Sequence, residues 1–515
     1  MSETETVGAR LQPPAGGATV RMYRTGHGDC FLLAFPGETG PVYVLIDCGY
    51  KPGSPRFIDT SAREITASIR QATGGHIHVA VITHEHQDHV NGITDENFAG
   101  ITIGETWLAW TEDRNDPIAN RLRTQFDDQL LGLLAARERL AADEVRAGNI
   151  DRYLAAEIGG GDDDFADDGG FAGLLAAAKS DPAQSRNKQS MKLLRERAEN
   201  GVKFIRPHEE IMALPGAPDV RVFALGPPRD EERLEDLDPV GDEEFHGLAL
   251  SSSSAGNYFA AAVCGEDAHG VPPFAGRYAV PLASAAEHAG FGEHFRLHYG
   301  VEGDADGFDP ATGRRGDKEA ADNAAWRRID HEWLYSAERL ALHMSSQTNN
   351  ASLVLAFELG KGGKVLLFAA DAQRGNWVSW GSKEWKDGAG TVSARELLAR
   401  TVLYKVGHHG SHNATLNGVP ASEHPSLGWM GHGEHGREFT AMITAVRAWA
   451  ETQNGWDHPL KAIKDALLKK ASGRVFQTDT PVPADPPAGA SAAEWKRFRE
   501  RVREDRLYFD YDIDG

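Results

Sequence analysis

Apolar and polar positions alternate over short stretches of the N-terminal part of the chain, and this period of two predicts β-strands. The strands expected there are residues 19–24, 30–35, 42–46 and 78–82. Between the last two, apolar residues recur at helical spacing, and we expect a helix that is capped by Asp59 or Ser61 and ends at Gly74. Strands and a helix in this order predict an α/β fold.

The second half of the chain returns to the same strand pattern. The strands expected there are residues 202–205, 220–225, 353–359, 365–369, 401–406 and 439–446. A glycine-rich turn at residues 360–363 joins two of these strands and predicts a hairpin. A charged helix at about residues 495–503 and a strand at residues 507–513 are expected near the C-terminus.

Two segments interrupt the strand pattern. One has leucines at helical spacing and a helix start at Asp181, which precedes a proline; it pads an edge of the fold or forms a lobe beside the site. The other is acidic and then glycine-rich, and no motif in it indicates chemistry. The expected organisation is a flexible tail at 1–18, a domain at 19–480 with insertions at about 111–200 and 230–346, and a C-terminal extension at 481–515.

Composition narrows the class of protein. The chain has 515 residues, of which 41% are hydrophobic and 25% charged, so it can bury a large core. It has no apolar run of membrane-spanning length and begins with a polar, acidic stretch, so we expect no membrane span and a cytoplasmic location. Three cysteines are too few for a disulfide framework. A net charge of −22 argues against a broad basic surface for duplex nucleic acid.

The densest group of reactive side chains directly follows the apolar run at residues 78–82. Alternate residues of an extended chain point the same way, so His84 and His86 can converge on one point while Asp88 and His89 face a second. This pattern predicts two adjacent metal sites, and imidazole with carboxylate suits zinc, manganese or iron. The alternative is a polar loop whose histidines occur together by chance.

At these residues the chain resembles the metallo-β-lactamase superfamily, whose signature is His-x-His-x-Asp-His after a core strand. Further stretches resemble the soluble metallo-hydrolase domain of ComEC-type DNA-uptake proteins. They are the Gly-x-Gly-Asp turn at residues 26–29, the run from Asn350 to Leu355, and the paired histidines at residues 407–411. Asp47, which precedes Gly49 at a strand end, matches the first motif of the superfamily as a whole. The resemblance implies an αββα sandwich of two mixed β-sheets flanked by helices, with helical and irregular insertions.

The resemblance also implies a ligand set. The metal ligands expected from it are His84, His86, Asp88, His89, Asp371 and His408. Asp371 stands where the superfamily has an aspartate that bridges two metals; the alternative is that Asp371 caps a helix. Asp47 stands where the superfamily has an aspartate that supports the metal-binding loop without binding metal. Asp88 and His409 are expected on the catalytic side, but spacing leaves the choice between His408 and His409 open.

Two further histidine assignments are less direct. The superfamily's extra histidine has no clear match, and His208, His331 and His343 are the candidates. For His458, a structural role is favoured over metal ligation.

The function that the resemblance implies is hydrolysis with two divalent metal ions, zinc first and manganese second. We expect a phosphodiesterase or nuclease that acts on nucleic acid or a nucleotide, with single strands preferred over duplex because the protein is acidic. Ester, lactone or thioester hydrolysis on the same site is the alternative, and a non-catalytic binding module with a relic site is another. The sequence does not identify a protein partner, and any such partner stays unknown.

Overall fold

The structure is a computed structural model of the chain. The described residues are 10–54, 61–139, 144–160, 168–207, 210–245, 287–292, 294, 308–309, 314–315, 337–453 and 456–515. They divide into two compact units. The larger unit comprises Met1–Asp127, Tyr153–Ser252 and Met344–Gly515, and the smaller unit comprises Asp128–Arg152 and Ser253–His343.

The strands are numbered in chain order. They are β1 (Ala18–Tyr23), β2 (Cys30–Pro36), β3 (Pro41–Cys48), β4 (His76–Ile82), β5 (Thr102–Ala109), β6 (Val202–Ile205), β7 (Met212–Leu214), β8 (Ala217–Gly226), β9 (Phe308–Asp309), β10 (Arg314–Arg315), β11 (Val354–Leu359), β12 (Val365–Phe368), β13 (Glu384–Asp387), β14 (Gly390–Ser393), β15 (Thr401–Lys405), β16 (Thr440–Ile443), β17 (Val475–Gln477), β18 (Val502–Glu504) and β19 (Tyr508–Ile513).

The helices are numbered in the same way. They are α1 (Ala62–Thr73), α2 (Gln87–Val90), α3 (Pro117–Arg139), α4 (Glu144–Ile158), α5 (Asp168–Ser180), α6 (Arg186–Arg197), α7 (Glu231–Leu234), α8 (Ala337–Asn350), α9 (Arg374–Trp380), α10 (Ala394–Ala399), α11 (Glu434–Glu438), α12 (Arg447–Ala450), α13 (Lys461–Lys470) and α14 (Ala492–Glu500). No helix among the described residues is long and apolar enough to cross a membrane.

Two large mixed sheets form the larger unit. Among the described residues, the first sheet has the strand order β18-β19-β1-β2-β3-β4-β5-β6 and the second has the order β17-β16-β15-β12-β11-β8-β7. Strands β3 to β6 run parallel to one another, and so do β12, β15, β16 and β17. The C-terminal β19 pairs antiparallel with β1, so the end of the chain extends the first sheet.

Alternation along the strands explains the layers. In β2, Phe31 and Leu33 enter the largest core, which also contains Phe357 of the second sheet. The ring of Phe35 stacks on that of Phe357 with a centroid distance of 5.6 Å. The intervening Leu32 faces a separate cluster shared with α1. The fold is therefore α/β, with two mixed sheets packed across a common core and flanked by helices, which is compatible with a sandwich.

Local signals located several elements correctly. Helix α1 has Ser61 as its cap, with a reciprocal bond to Glu64, and ends at Gly74 in the left-handed conformation. Asp59, the other candidate cap, lies outside the described residues. The hairpin formed by β11 and β12 is also as expected. The helix expected from Asp181 forms first as a short 3₁₀ turn, because Ser185 caps the α-helix that follows.

The two insertions differ in how far the structure describes them. Residues 111–200 contain helices α3 to α6, as the leucine spacing predicted. Most of residues 230–346 lie outside the described part of the chain. The segment at residues 439–446 was expected to be one strand, but β16 ends at Ile443, and helix α12 begins at Arg447.

Candidate metal centre

The candidate site forms where strands of both sheets end. Carboxyl ends of parallel strands meet at one edge, so residues that follow them come together. From the first sheet, β3 carries Asp47 and β4 leads into the loop from His84 to His89. From the second sheet, β12 leads to Asp371 and β15 leads to His408 and His409. Asp371 precedes the first residue of helix α9, whose cap is Gln373, so the alternative of a helix cap at Asp371 is wrong.

Four buried side chains form the tightest group of potential ligands. Asp88, His89, Asp371 and His409 each offer one ligand atom, and these atoms all lie within 4.8 Å of one another. His409 Nε2 is 2.9 Å from Asp88 Oδ2, and His89 Nε2 is 3.3 Å from Asp371 Oδ2. Two imidazoles and two carboxylates converge from separate halves of the chain, and they are positioned to hold a metal ion.

A second pair of imidazoles lies beside this group. His84 Nε2 is 3.1 Å from His86 Nδ1, and it is 4.0 Å from Asp371 Oδ2. Both rings are buried. The alternation that places His84 and His86 together is therefore present, and Asp371 lies at the boundary between the pair and the tightest group.

Each of these four imidazoles has its remaining ring nitrogen held by an oxygen. His84 Nδ1 lies 3.2 Å from Ser352 Oγ, and His86 Nε2 lies 2.9 Å from Glu157 Oε1. Metal-binding histidines commonly bond an outer carboxylate, carbonyl or water in this way, because the contact fixes the ring and its tautomer.

The other two imidazoles follow the same rule. His89 Nδ1 is 2.8 Å from Asp47 Oδ2, and His409 Nδ1 is 3.0 Å from the carbonyl oxygen of Thr444. The inward Nε2 of His89 is buried and makes no hydrogen bond with any described residue. This nitrogen faces Asp371 Oδ2 at 3.3 Å without an aligned hydrogen bond, an arrangement that fits two ligands of one metal ion.

Asp47 holds the loop in place, as the resemblance implied. Its carboxylate accepts hydrogen bonds from the backbone N–H of Thr83 at 2.9 Å and from the Thr83 hydroxyl at 2.7 Å. Its φ is +54°, a conformation that is costly for a residue with a side chain. The same strained conformation recurs at Ala370, His408 and His409, which all lie at the site.

Two glycines allow the loop to pack against its support. A Cβ at Gly49 would lie 2.3 Å from the backbone nitrogen of His89, and a Cβ at Gly28 would lie 2.9 Å from the carbonyl oxygen of Asp88. Neither position accepts a side chain without a shift of the backbone. The two glycine motifs near the N-terminus therefore act by close packing beneath Asp88.

Two lysines balance the carboxylates. Lys405 is buried and forms ion pairs with Asp29 and with Asp371, the latter at 3.4 Å. Lys51, whose side chain is 15% exposed, lies 3.0 Å from Asp88 Oδ1. Burial opposes ionisation of Asp88, but Lys51 and the imidazoles hold the pKa of this carboxyl well below its usual value.

The imidazoles respond to the same charges. Against the effect of burial, Asp371 and Asp47 raise the pKa of His89 well above its usual value. Burial and the neighbouring imidazoles hold the pKa of His84 well below the ordinary value, so this ring is neutral. Without a metal, His89 therefore carries a proton that a cation must displace.

His408 and His409 have distinct environments. The His409 side chain is 1% exposed and belongs to the tightest group, whereas the His408 side chain is 21% exposed. His408 Nε2 is 4.0 Å from Asp371 Oδ2 and 3.2 Å from Asn349 Nδ2. Burial chiefly lowers the pKa of His408 to about 4. The geometry favours His409 as the ligand, which is opposite to the assignment made from the sequence, and the choice stays a prediction.

Glu157 is a site residue that the sequence did not reveal, and Lys51 beside Asp88 is another. Glu157 lies on α4, inside the helical insertion, and no motif surrounds it. Of the three candidates for an extra histidine ligand, His208 and His331 lie outside the described residues, and His343 belongs to the smaller unit. Glu157 instead brings a carboxylate to His86 from a segment whose sequence indicated only helix.

No protein-family model matches the chain, and a search of curated proteins gives no match. The function is therefore inferred from the residues of the site and their geometry.

Proposed function

We propose that the chain is a metal-dependent hydrolase of the metallo-β-lactamase superfamily, close to the ComEC-type domain, and that it cleaves phosphodiester bonds in single-stranded nucleic acid or a nucleotide. The observation that carries the proposal is the convergence of Asp88, His89, Asp371 and His409 within 4.8 Å. The adjacent pair of His84 and His86 extends this group into a second position.

The donor set fits two divalent ions, with zinc preferred and manganese the alternative. Asp88, His89 and His409 would hold one ion, His84 and His86 would hold the other, and Asp371 would serve both. When bound, such ions activate a water molecule and polarise the bond under attack. The carboxylates of Asp47 and Glu157 hold the outer nitrogens of His89 and His86, and this would orient the inward nitrogens as metal ligands.

Residues on the accessible side of the site favour a phosphodiester over a neutral ester. Lys51 is partly exposed beside Asp88 and carries a positive charge toward an anionic group. His408 is partly exposed and neutral at pH 7, and the contact of its Nδ1 with Asn413 Oδ1 is long, at 3.5 Å, so this N–H can turn to a phosphate oxygen. A phosphodiester gains from both groups, because its non-bridging oxygens carry the charge.

The test combines metal analysis with a substrate panel. The purified chain is analysed for bound metal and assayed with zinc or manganese on bis-p-nitrophenyl phosphate, single-stranded DNA, duplex DNA, RNA and a lactone. We expect about two metals per chain, turnover of phosphodiesters, and faster cleavage of single strands than of duplex. Turnover of the lactone alone would make the chain an ester hydrolase. Less than one metal per chain, without turnover, would support a non-catalytic module.

An Asp88→Asn variant links the panel to the site. The substitution removes one carboxylate charge from the tightest group, and we expect loss of metal and of activity. Asp465→Asn is the matched control, because the Asp465 side chain is 57% exposed and pairs with Lys461 on helix α13. If Asp88→Asn and Asp465→Asn have equal activity, Asp88 does not take part in the reaction and the catalytic site lies elsewhere in the chain.

A further inference from the structure

A row of flat rings leads away from the candidate metal centre. His27, Trp449, Trp456 and His458 contact one another, and we term this set the ring wall. The rings of Trp456 and His458 stack with centroids 5.1 Å apart and an angle of 23°. His458 stacks in turn on His27 at 5.5 Å and 20°. The ring of His458 is therefore nearly parallel to those of Trp456 and His27, whereas Trp449 meets Trp456 edge-on at 84°.

The ring wall is continuous with the site. The centroid of His27 is 4.4 Å from that of the candidate ligand His409, and His458 is 5.4 Å from the half-buried His408. Lys51 lies near both the candidate metal centre and the ring wall. Its Nζ is 3.0 Å from Asp88 Oδ1 and 5.8 Å from the ring of Trp456.

Exposure separates the two ends of the wall. His27, next to the metal centre, is fully buried, whereas Trp456 and His458 are only partly buried. Partial burial is common for tryptophan, and the uncovered part of an indole ring remains able to stack on a planar ligand. The outer end of the wall therefore offers flat aromatic surface next to the ammonium group of Lys51, which lies 3.0 Å from Asp88 Oδ1 of the candidate metal centre.

The chemistry of this surface selects a planar ligand that bears an anion. Bases stack on aromatic side chains with little regard to sequence, and a cation beside the ring adds to the attraction. In a nucleotide, one sugar joins the phosphate to the base, so a phosphate at the metal centre brings the base onto the neighbouring surface. An aliphatic acyl chain would gain less, because imidazole and ammonium groups line the same path.

We propose that Trp456 and His458 form a base-stacking subsite for the nucleotide that adjoins the scissile phosphodiester. This inference rests on the proposed function, because it requires a phosphodiester at the metal centre. It identifies the substrate as base-bearing, and it would account for the expected preference for single strands, since bases in a duplex are already stacked on one another and paired.

The test compares two chromogenic diesters that share a leaving group. Thymidine 5′-(p-nitrophenyl phosphate) carries a base, and methyl p-nitrophenyl phosphate does not. We expect Trp456→Ala to reduce kcat/KM for the base-bearing diester about 10-fold more than for the base-free diester. Trp456→Phe retains an aromatic face and should recover most of that difference. Metal content is measured for every variant.

Phe245→Ala is the matched control, because Phe245 is also partly buried but packs against the core cluster on the outer face of the second sheet. It should affect both diesters equally. Equal losses on the two diesters in Trp456→Ala would mean that Trp456 only supports the metal centre, and no loss on either would remove the subsite. Both results would overturn the inference while leaving the phosphodiesterase proposal intact.

A binding measurement covers the case in which neither diester is turned over. That result would refute the proposed function, and calorimetry with thymidine 5′-phosphate and with methyl phosphate then tests the subsite by itself. Tighter binding of the thymidine compound, lost in Trp456→Ala, would support the subsite. Equal binding of the two phosphates would overturn it.

Discussion

Replacement of Glu157 tests whether the helical insertion takes part in the metal centre. Glu157 Oε1 lies 2.9 Å from His86 Nε2, and the two side chains are only 1% and 4% exposed. The second carboxylate oxygen lies 3.4 Å from the Thr348 hydroxyl. Because the contact fixes the ring of His86, it also fixes the direction of His86 Nδ1, which faces His84. Loss of Glu157 should therefore weaken metal binding without removing a ligand.

The burial of this contact sets the expected magnitude. A hydrogen bond to a charged group contributes about 1.5–3 kcal/mol, and loss of an outer partner of a metal-bound histidine typically lowers metal affinity about 10- to 100-fold. Glu157→Gln retains an acceptor and loses the charge, so we expect a decrease near the lower end, about 10-fold. Glu157→Ala leaves a buried N–H of His86 without its acceptor, so we expect about 100-fold.

Competition with a chromogenic chelator measures both decreases. Glu196→Gln is the matched control, because it makes the same chemical change on a side chain that is 62% exposed and pairs with Lys192. Its metal affinity should equal that of the wild type. If Glu157→Ala also binds metal with wild-type affinity, the insertion does not support the centre, and the contact with His86 has only a structural role.

Four further results are expected. Asp371→Ala should lose metal and activity together, because its carboxylate borders both groups of imidazoles; metal retention on elemental analysis would exclude a bridging role. His409→Ala should lose metal, whereas His408→Ala should keep metal and lose turnover; the reverse pattern would restore the assignment made from the sequence. Burial and the neighbouring carboxylate of Glu112 raise the pKa of Glu85 from its ordinary value of 4.5 to about 8 in the folded protein. The unfolded chain therefore loses this proton at lower pH than the folded protein does, and the free energy of unfolding of metal-free protein should fall as pH rises from 4.5 to 8. Glu85→Gln should therefore gain stability relative to wild type across that window in urea unfolding, and a constant difference would refute the shift. Gly49→Ala should destabilise the protein and lower its metal content, because its Cβ would lie 2.3 Å from loop backbone, and a wild-type melting temperature would contradict this.

Local sequence signals predicted the parts of the fold that depend on neighbours in the chain. The cap at Ser61 and the stop at Gly74 are contained within one helix. The final strand was expected at residues 507–513 and forms as β19. Its partner could not be predicted, because the register that places Val20 opposite Tyr511 joins the two ends of the chain. The alternation of β19 is compatible with many partners, and only the assembled core selects one.

The same distinction applies to the candidate site. His84 and His86 are two residues apart in one loop, so their convergence follows from strand geometry. Glu157 reaches His86 from 71 residues away, and an acidic residue on a helix ordinarily indicates a solvated face. The contact of Glu157 with His86 depends on how α4 packs in the folded protein, and the spacing of apolar residues along α4 does not predict that packing.

The choice between His408 and His409 depends on the first sheet as well as the second. Both residues have positive φ on one tight turn, so the turn itself does not decide which ring points inward. The deciding contact is that of His409 Nδ1 with the carbonyl oxygen of Thr444, which follows β16. The Thr444 hydroxyl donates to Asp29 Oδ1 at 2.5 Å, and Asp29 also pairs with Lys405. Asp29 lies in the glycine-aspartate turn that precedes β2 of the first sheet. Through Thr444, this turn near the N-terminus therefore helps to orient the ring of His409. The residue spacing within the turn at 26–29 or within the paired histidines at 407–411 therefore cannot predict the orientation of His409, because that orientation depends on contacts formed when the two sheets pack together.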